Sequence, residues 1–299
     1  MVESTMNVPT RGRPNGRPSL ANALDDAIRA IDIPPRPQII DRIRVEVLSE
    51  NPCFHRIGQL IKADVGLAAG LLKTANSPYF GLRTRVRSVS EALVLLGLEL
   101  TARAVAAISL RRAFPDSAHY VRFWDSSARI AALSGWLAQT LAPPGLNAAD
   151  AYTFGLFRDC GIVILLRRFA DYRQTLARAN GDAERSFTAV EQADYPTDHA
   201  VVGSLLATEW WLPDEICQAI RAHHEPSAIA CLGADPPLVG SRLIAVSQTA
   251  EHLLQQLTGA SRTQEWTKLG QASLLLLGLT EESLRELHAE AATILAATD

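Results

Sequence analysis

Lysine is almost missing from this sequence: Lys62, Lys73 and Lys268 are its lysines, and arginine supplies the rest of the 29 basic side chains. No dense arginine cluster singles out a phosphate-binding surface. Net charge is small as well, −3 at pH 7 with 32 acidic side chains, which does not suit a strongly basic nucleic-acid-binding protein. Cysteines Cys53, Cys160, Cys217 and Cys231 form no CxxC pair, a pattern that fits a reducing cytoplasm. No uninterrupted apolar run approaches the roughly 18–20 uncharged residues of a membrane span, and the first residues lack the apolar stretch of a secretory signal. Alternating strand patterns are nearly absent. With 299 residues, 47% of them hydrophobic, the chain can still bury a sizeable core. These features together predict a soluble, cytoplasmic, all-α protein.

Residues 1–18 mix Gly, Pro, Asn, Ser, Thr and Arg without periodicity, as in RGRPNGRP, and read as a disordered tail. Apolar residues then recur at helical spacing. Leu20, Leu24, Ala27, Ile28 and Ile31 form one stripe, and Pro34, Pro35 and Pro37 interrupt it. Ile39 to Val47 mark a second helix and Ile57 to Ile61 a short third. Asp64 is placed to cap a helix that runs to Asn76. Ser88 and Glu91 have capping-box spacing for the next, which Gly97 is placed to end in a left-handed cap. The apolar pattern resumes to Phe114-Pro115. Further helices are expected near 120–141, 148–168, 185–193, 198–209, 213–224, 238–257 and 264–277, with a last one from Thr280. Pro115 to His119 read as a joint, and Pro143 to Gly145 and Gly233 to Pro237 as loops.

The residues with chemical potential lie between Phe123 and Ser247. Asp159 sits in LFRDCG, His199 in TDHAVVG, and His223-His224 close a helix before Pro226. Three such ligands from separate helices would make a minimal metal site. Adjacent residues on one helix point about 100° apart, so His223 and His224 do not easily share one ion. A plainer reading also accounts for these residues: histidines favour the last turn of a helix, and Asp198-His199 suits ordinary capping. Arg158 could join the histidines in holding a phosphate or carboxylate. Trp210 and Trp211 are adjacent, so one helix buries only one of them easily. Trp211 is then a candidate partner contact, unless a bend at the helix end buries both.

From Pro34 to Leu254 the chain resembles the HDOD family, the HD-related output domains. The resemblance is carried by PPRPQIIDRI, by LIKADVGLAAGLLKTANSPYFGLRTRVRSVSEALVLLGLE, and then in order by FWDSSARIAALSGWLA, LFRDCGIVIL, DHAVVGSLLATEWWLP and ICQAIRAHHEP. It implies an amino-terminal helical subdomain (19–115) packed on a degenerate HD-like subdomain (116–257), followed by a helical extension (258–299). HD-type phosphohydrolases, to which the family is related, bind divalent ions through histidines and aspartates. Ser126 stands where ligand-keeping relatives have a histidine, Arg158 where they have the histidine of His-Asp, and Ser247 where they have a later aspartate. Asp159, His199, His223 and His224 remain as vestigial candidates. The expectation is therefore no bound metal or other cofactor, no catalytic residues and no phosphohydrolase activity.

The resemblance also makes Asn76 and Tyr79, in ANSPYFG, candidates for a ligand or partner surface between the halves. The function it implies is a non-catalytic bacterial signal-transduction output or adaptor protein. Its partners would be signalling proteins such as a kinase, a response regulator or a cyclic-di-GMP-related protein, without membrane insertion and without nucleic acid. The alternatives are a metal-dependent phosphohydrolase with a reduced ligand set and a non-hydrolysing cyclic-dinucleotide or nucleotide sensor.

Overall fold

In a computed structural model, residues 31–82, 84–114, 118–229, 238–260 and 262–296 are described, and among them there are helices and turns but no strand. The all-α expectation holds. The expected tail, most of the expected first helix, most of the joint at Pro115 to His119 and the loop at Gly233 to Pro237 lie outside these residues.

The amino-terminal part contains α1 (Gln38–Val47), α2 (Phe54–Lys62), α3 (Val65–Ala75), a 3₁₀ turn (Pro78–Phe80) and α4 (Val89–Arg112). Asp64 caps α3 as its sequence position predicts, accepting from the amides of Gly66 and Leu67. Ser88 caps α4 through the Glu91 amide, but Glu91 reaches back to the Arg87 amide, one residue before the cap. Gly97 adopts φ 68°, ψ 177°, and α4 continues on both sides of it. Gly97 therefore kinks this helix instead of ending it. Glycine alone adopts such an extended left-handed conformation at little cost.

By length and composition α4 is apolar enough to cross a membrane, although no uncharged run of that length is present, as expected. Glu91, Glu99 and Arg103 interrupt the run, so a search for uncharged stretches passes it over. Its buried residues, among them Ala92, Leu93, Leu96, Ala104, Val105 and Leu110, lie in the core against which α1, α2 and α3 pack.

The second part contains α5 (Ala118–Leu141), α6 (Ala148–Phe157), α7 (Cys160–Arg168), α8 (Tyr172–Gly181), α9 (Phe187–Gln192), α10 (His199–Glu209), α11 (Asp214–Ala222), α12 (Pro226–Ile229), α13 (Val239–Thr258), α14 (Glu265–Leu277) and α15 (Glu281–Ala296). The single helix expected over 148–168 is broken between Phe157 and Cys160, and α8 is a helix the periodicity did not predict. Helix α13 is the hub, packing against α5, α6, α11, α14 and α15. Leu284, Leu287, Ala291 and Leu295 are buried, so the stripe expected on the last helix docks on the body. One hydrophobic cluster extends from Ile33 to Leu295.

Three contacts tie the start of the described chain to the second part. Trp210 Nε1 donates to the Pro34 carbonyl at 3.1 Å, Arg167 pairs with Asp32 at 2.7 Å, and Arg36 reaches Glu209.

Candidate metal centre

The break between α6 and α7 places Asp159 at the amino-terminal end of α7, where its carboxylate makes no cap hydrogen bond. Helix α7 crosses α10 at unusually close range. A Cβ added to Gly161 would lie 2.0 Å from the His199 carbonyl oxygen and 2.8 Å from the Gly203 nitrogen. Only glycine allows this approach, and the approach brings Asp159 against the first turn of α10. Asp198 caps α10 through the Val201 amide, leaving His199 free to turn inward. The end of α11 delivers His223 and His224 from the other side.

The four ligand atoms lie within 4.8 Å of one another. His199 Nε2 is 3.3 Å from His223 Nε2 and 3.1 Å from His224 Nε2. Asp159 Oδ1 is 3.2 Å from His223 Nε2 and 3.7 Å from His199 Nε2. His223 stands at the helix C-cap, where the backbone leaves the helix, so it and its neighbour can converge after all. The rings are buried, with exposures of 0%, 1% and 6% for His199, His223 and His224, so their Nε2 atoms are shielded from bulk water.

Each opposite ring nitrogen is held. His223 Nδ1 lies 2.6 Å from the Ile220 carbonyl, an acceptor that fixes the proton on Nδ1. His199 Nδ1 lies 2.7 Å from Glu191 Oε2 and His224 Nδ1 2.6 Å from Glu265 Oε2. Glu191 also accepts from the Tyr172 hydroxyl and the His199 amide, and Glu265 pairs with Lys268. With the protons on Nδ1, three Nε2 lone pairs face one another and a carboxylate oxygen.

That arrangement fits a cation. Metal-bound histidines characteristically donate their other N–H to a carboxylate or a carbonyl. A tetrahedron of nitrogen and oxygen ligands with bonds of roughly 2.0–2.1 Å has edges of about 3.3 Å. The four distances above fall close to that value. Charge balance agrees: Asp159, Glu191, Glu251 and Glu265 surround the centre, while Arg158 and Lys268 are the cations paired with them. With these groups ionised and the imidazoles neutral, one divalent ion would cancel the excess negative charge. The residues present would hold it as three imidazoles and one carboxylate, a set suited to a zinc-like or iron-like ion.

The ligands respond differently to their surroundings. Burial opposes charge on His199, but Glu191 overrides it and raises the pKa, so a proton competes with the ion for this ring. His224 is held well below its usual value by burial and by repulsion from His223 and His199. Burial alone would raise Asp159; Arg158 and the His223 contact overcome it and keep the carboxyl far below the usual range.

Arg158 is 3% exposed and pairs with Asp159 Oδ2 at 3.1 Å and Glu251 Oε2 at 2.8 Å. Asn76 and Tyr79 are drawn into the architecture. The Asn76 amide donates to the Leu72 and Val86 carbonyls and accepts from the Val86 amide. Tyr79 is buried, stacked on Tyr152 and packed against Gly135. Trp210 is buried, whereas Trp211 is 39% exposed with φ 63°, its ring between the guanidinium groups of Arg36 and Arg44. The bend at the helix end thus buries one tryptophan and not both.

Sequence reading missed Glu191, Glu251 and Glu265. Glu191 carried a signal, an acid on the same face of α9 as the buried Phe187 and Thr188. Glu265 reads as an ordinary first-turn acid, and nothing in the sequence marked Glu251.

The HDOD domain family model matches residues 33–226. A provisionally named phosphohydrolase from Shewanella amazonensis shares the fold at a TM-score of 0.67 and 21% identity, over 92% of this chain and 95% of that one. An HDOD domain protein of unknown function from Geobacter sulfurreducens aligns at 0.57 and 20%, over 91% and 96%. A provisionally named signal transduction protein from Marinobacter aquaeolei aligns at 0.63 and 24%, over 91% of this chain and 60% of that one. An uncharacterised protein of Treponema pallidum is 26% identical over 199 residues, 66% of this chain. The chain spans 39% of the length of that relative.

Proposed function

The chain belongs to the HDOD domain family, and from that premise we propose that it is a signalling output module whose HD-derived centre is a closed one-ion clasp and not a hydrolytic site. The observation that carries the reading is the packing of the four donors against one another, with every imidazole already oriented by a partner on Nδ1. A catalytic metal keeps a position open for water or substrate, whereas a structural one is enclosed by protein ligands. Four protein donors at tetrahedral spacing leave no such position.

When bound, the ion would supply cross-linking: it would join the α6–α7 break, the start of α10 and the end of α11. Output would then pass through surfaces carried on this fixed body to a protein partner such as a kinase, a response regulator or a cyclic-di-GMP-related protein in the cytoplasm. Exposed apolar side chains on the amino-terminal helices, Val45 at 72%, Leu48 at 71% and Val65 at 82%, supply contact area of the kind a partner covers. The relationship of the family to HD phosphohydrolases gives the competing reading, a one-metal hydrolase. The partial exposure of the Asp159 side chain, 20%, favours it to that extent.

The deciding experiment is elemental analysis of protein purified without chelator or metal-affinity tag, paired with assays on phosphodiesters and cyclic dinucleotides. About one divalent ion per chain, lost in His199→Ala, with no hydrolysis, supports the clasp. Metal-dependent turnover abolished by the same substitution overturns it in favour of the enzyme. Ion-free protein with unchanged stability on adding Zn²⁺, Mn²⁺ or Fe²⁺ overturns both metal readings.

A further inference from the structure

Asp159 divides its carboxylate between two poles. Oδ1 faces the imidazoles, whereas Oδ2 faces Arg158. Beyond the guanidinium, Glu251 on α13 closes the second pole at 2.8 Å. Arg158 is nearly inaccessible, and burial works against its charge. The charges of Asp159 and Glu251 reverse that and raise its pKa. Ser247 lies one turn before Glu251 on the same face of α13. Ser247 Oγ is buried without a hydrogen-bond partner among the described residues, and Arg158 Nε meets Asp159 Oδ2 at 3.1 Å as an ion pair without hydrogen-bond alignment.

We propose that the Arg158 guanidinium is the built-in occupant of a second cation position, between Asp159 and Glu251, and that it excludes a second divalent ion from the centre. Two carboxylates form an all-oxygen donor pair, which suits hard ions such as Mn²⁺ or Mg²⁺ and differs from the imidazole pole. Arginine does not lose its proton at accessible pH, so the exclusion is permanent and independent of pH. The first ion belongs to the clasp reading, but the second position is defined by Asp159, Glu251 and Arg158 alone.

Substituting Arg158→Met removes the charge while keeping an apolar stem of similar reach. The full chain is equilibrated with Mn²⁺, dialysed, and its ions counted by elemental analysis and by the Mn²⁺ electron paramagnetic resonance signal. Arg158→Met is expected to hold one ion per chain more than the parent, and Arg158→Met/Glu251→Gln to lose that gain. Thermal melting adds an independent readout, since Mn²⁺ should raise the melting temperature of Arg158→Met by more than that of the parent, and that of the double variant by no more than the parent's. Arg158→Gln repeats the count if methionine does not support folding. Equal ion counts in parent and both single variants would overturn the proposal. A parent without ions refutes the clasp, while the difference between parent and variant still decides the second position.

Discussion

Replacing Gly161 with alanine asks whether the crossing of α7 and α10 is what assembles the centre. The added Cβ would sit 2.0 Å from the His199 carbonyl oxygen, where carbon–oxygen contacts normally begin at about 3.3 Å. The helices must therefore separate by roughly 1 Å. Neither contacting group is the flexible end of a side chain, so the strain has no inexpensive outlet. Overpacking of this kind costs typically about 1–3 kcal/mol, and backbone against backbone belongs at the upper end. At about 2–4 °C per kcal/mol for a chain near this size, the melting temperature should fall by roughly 4–12 °C. The same displacement carries His199 away from Asp159, whose present separation is 3.7 Å. Ion content should fall with it. Calorimetry and elemental analysis of the one variant test both effects. A Gly161→Ala protein that melts within 2 °C of the parent (about 1 kcal/mol or less) and keeps its ion would refute the argument that this contact builds the site.

Asp64→Ala should cost about 1 kcal/mol through loss of the α3 cap, measurable in urea. The Arg112 and Leu67 hydrogen bonds hold the Asp64 carboxyl below its usual pKa, so the unfolded chain takes up this proton first. The cap's contribution is thus present at pH 7 and lost as pH falls through the lowered value. The difference between parent and Asp64→Ala should shrink on acidification. The two tryptophans should respond unequally. Trp210→Ala empties a buried site and breaks the bond to Pro34, costing about 3–5 kcal/mol. Trp211→Gly loses two cation–π contacts but relieves a positive φ, and its melting temperature should lie much nearer the parent's. Leu48→Glu should leave the melting temperature within about 1 °C while weakening binding to a purified signalling partner, and unchanged binding would remove this surface from the output reading.

Helical periodicity and capping chemistry are local, and the elements they govern were legible. Asp64, Ser88 and Asp198 cap helices where their positions predict. Helix α8 was not legible, because its buried face is Tyr172, Thr175 and Ala179, and partly buried Leu176 is its one branched aliphatic residue, too few to mark a stripe. The break before Asp159 carries no glycine or proline, and it exists because α6 and α7 pack on different neighbours. Gly97 announced a left-handed residue but not whether the chain would stop there. At the centre, the residue types of the four donors were readable from the family resemblance. Their mutual distances depend on the Gly161 crossing, on Glu191 eight residues before His199 and on Glu265, which is remote from His224 in sequence. The expectation that the donors are a relic without an ion therefore rested on which ligands are missing, while the geometry of those that remain fits one.

The spacing of the donors along the chain has a kinetic consequence. Asp159, His199 and His223-His224 come from separate helices, and Glu265 follows some forty residues later. The amino-terminal helices α1 to α4, by contrast, contact mainly their sequence neighbours. Local contacts form early in folding, while contacts between distant segments must first close the intervening loops. The clasp should therefore be absent from the folding transition state and complete only on its native side. An ion held there would slow unfolding by nearly its full binding contribution and leave the folding rate almost unchanged. The lifetime of the folded state, more than the speed of reaching it, would then be what the cell's metal supply controls.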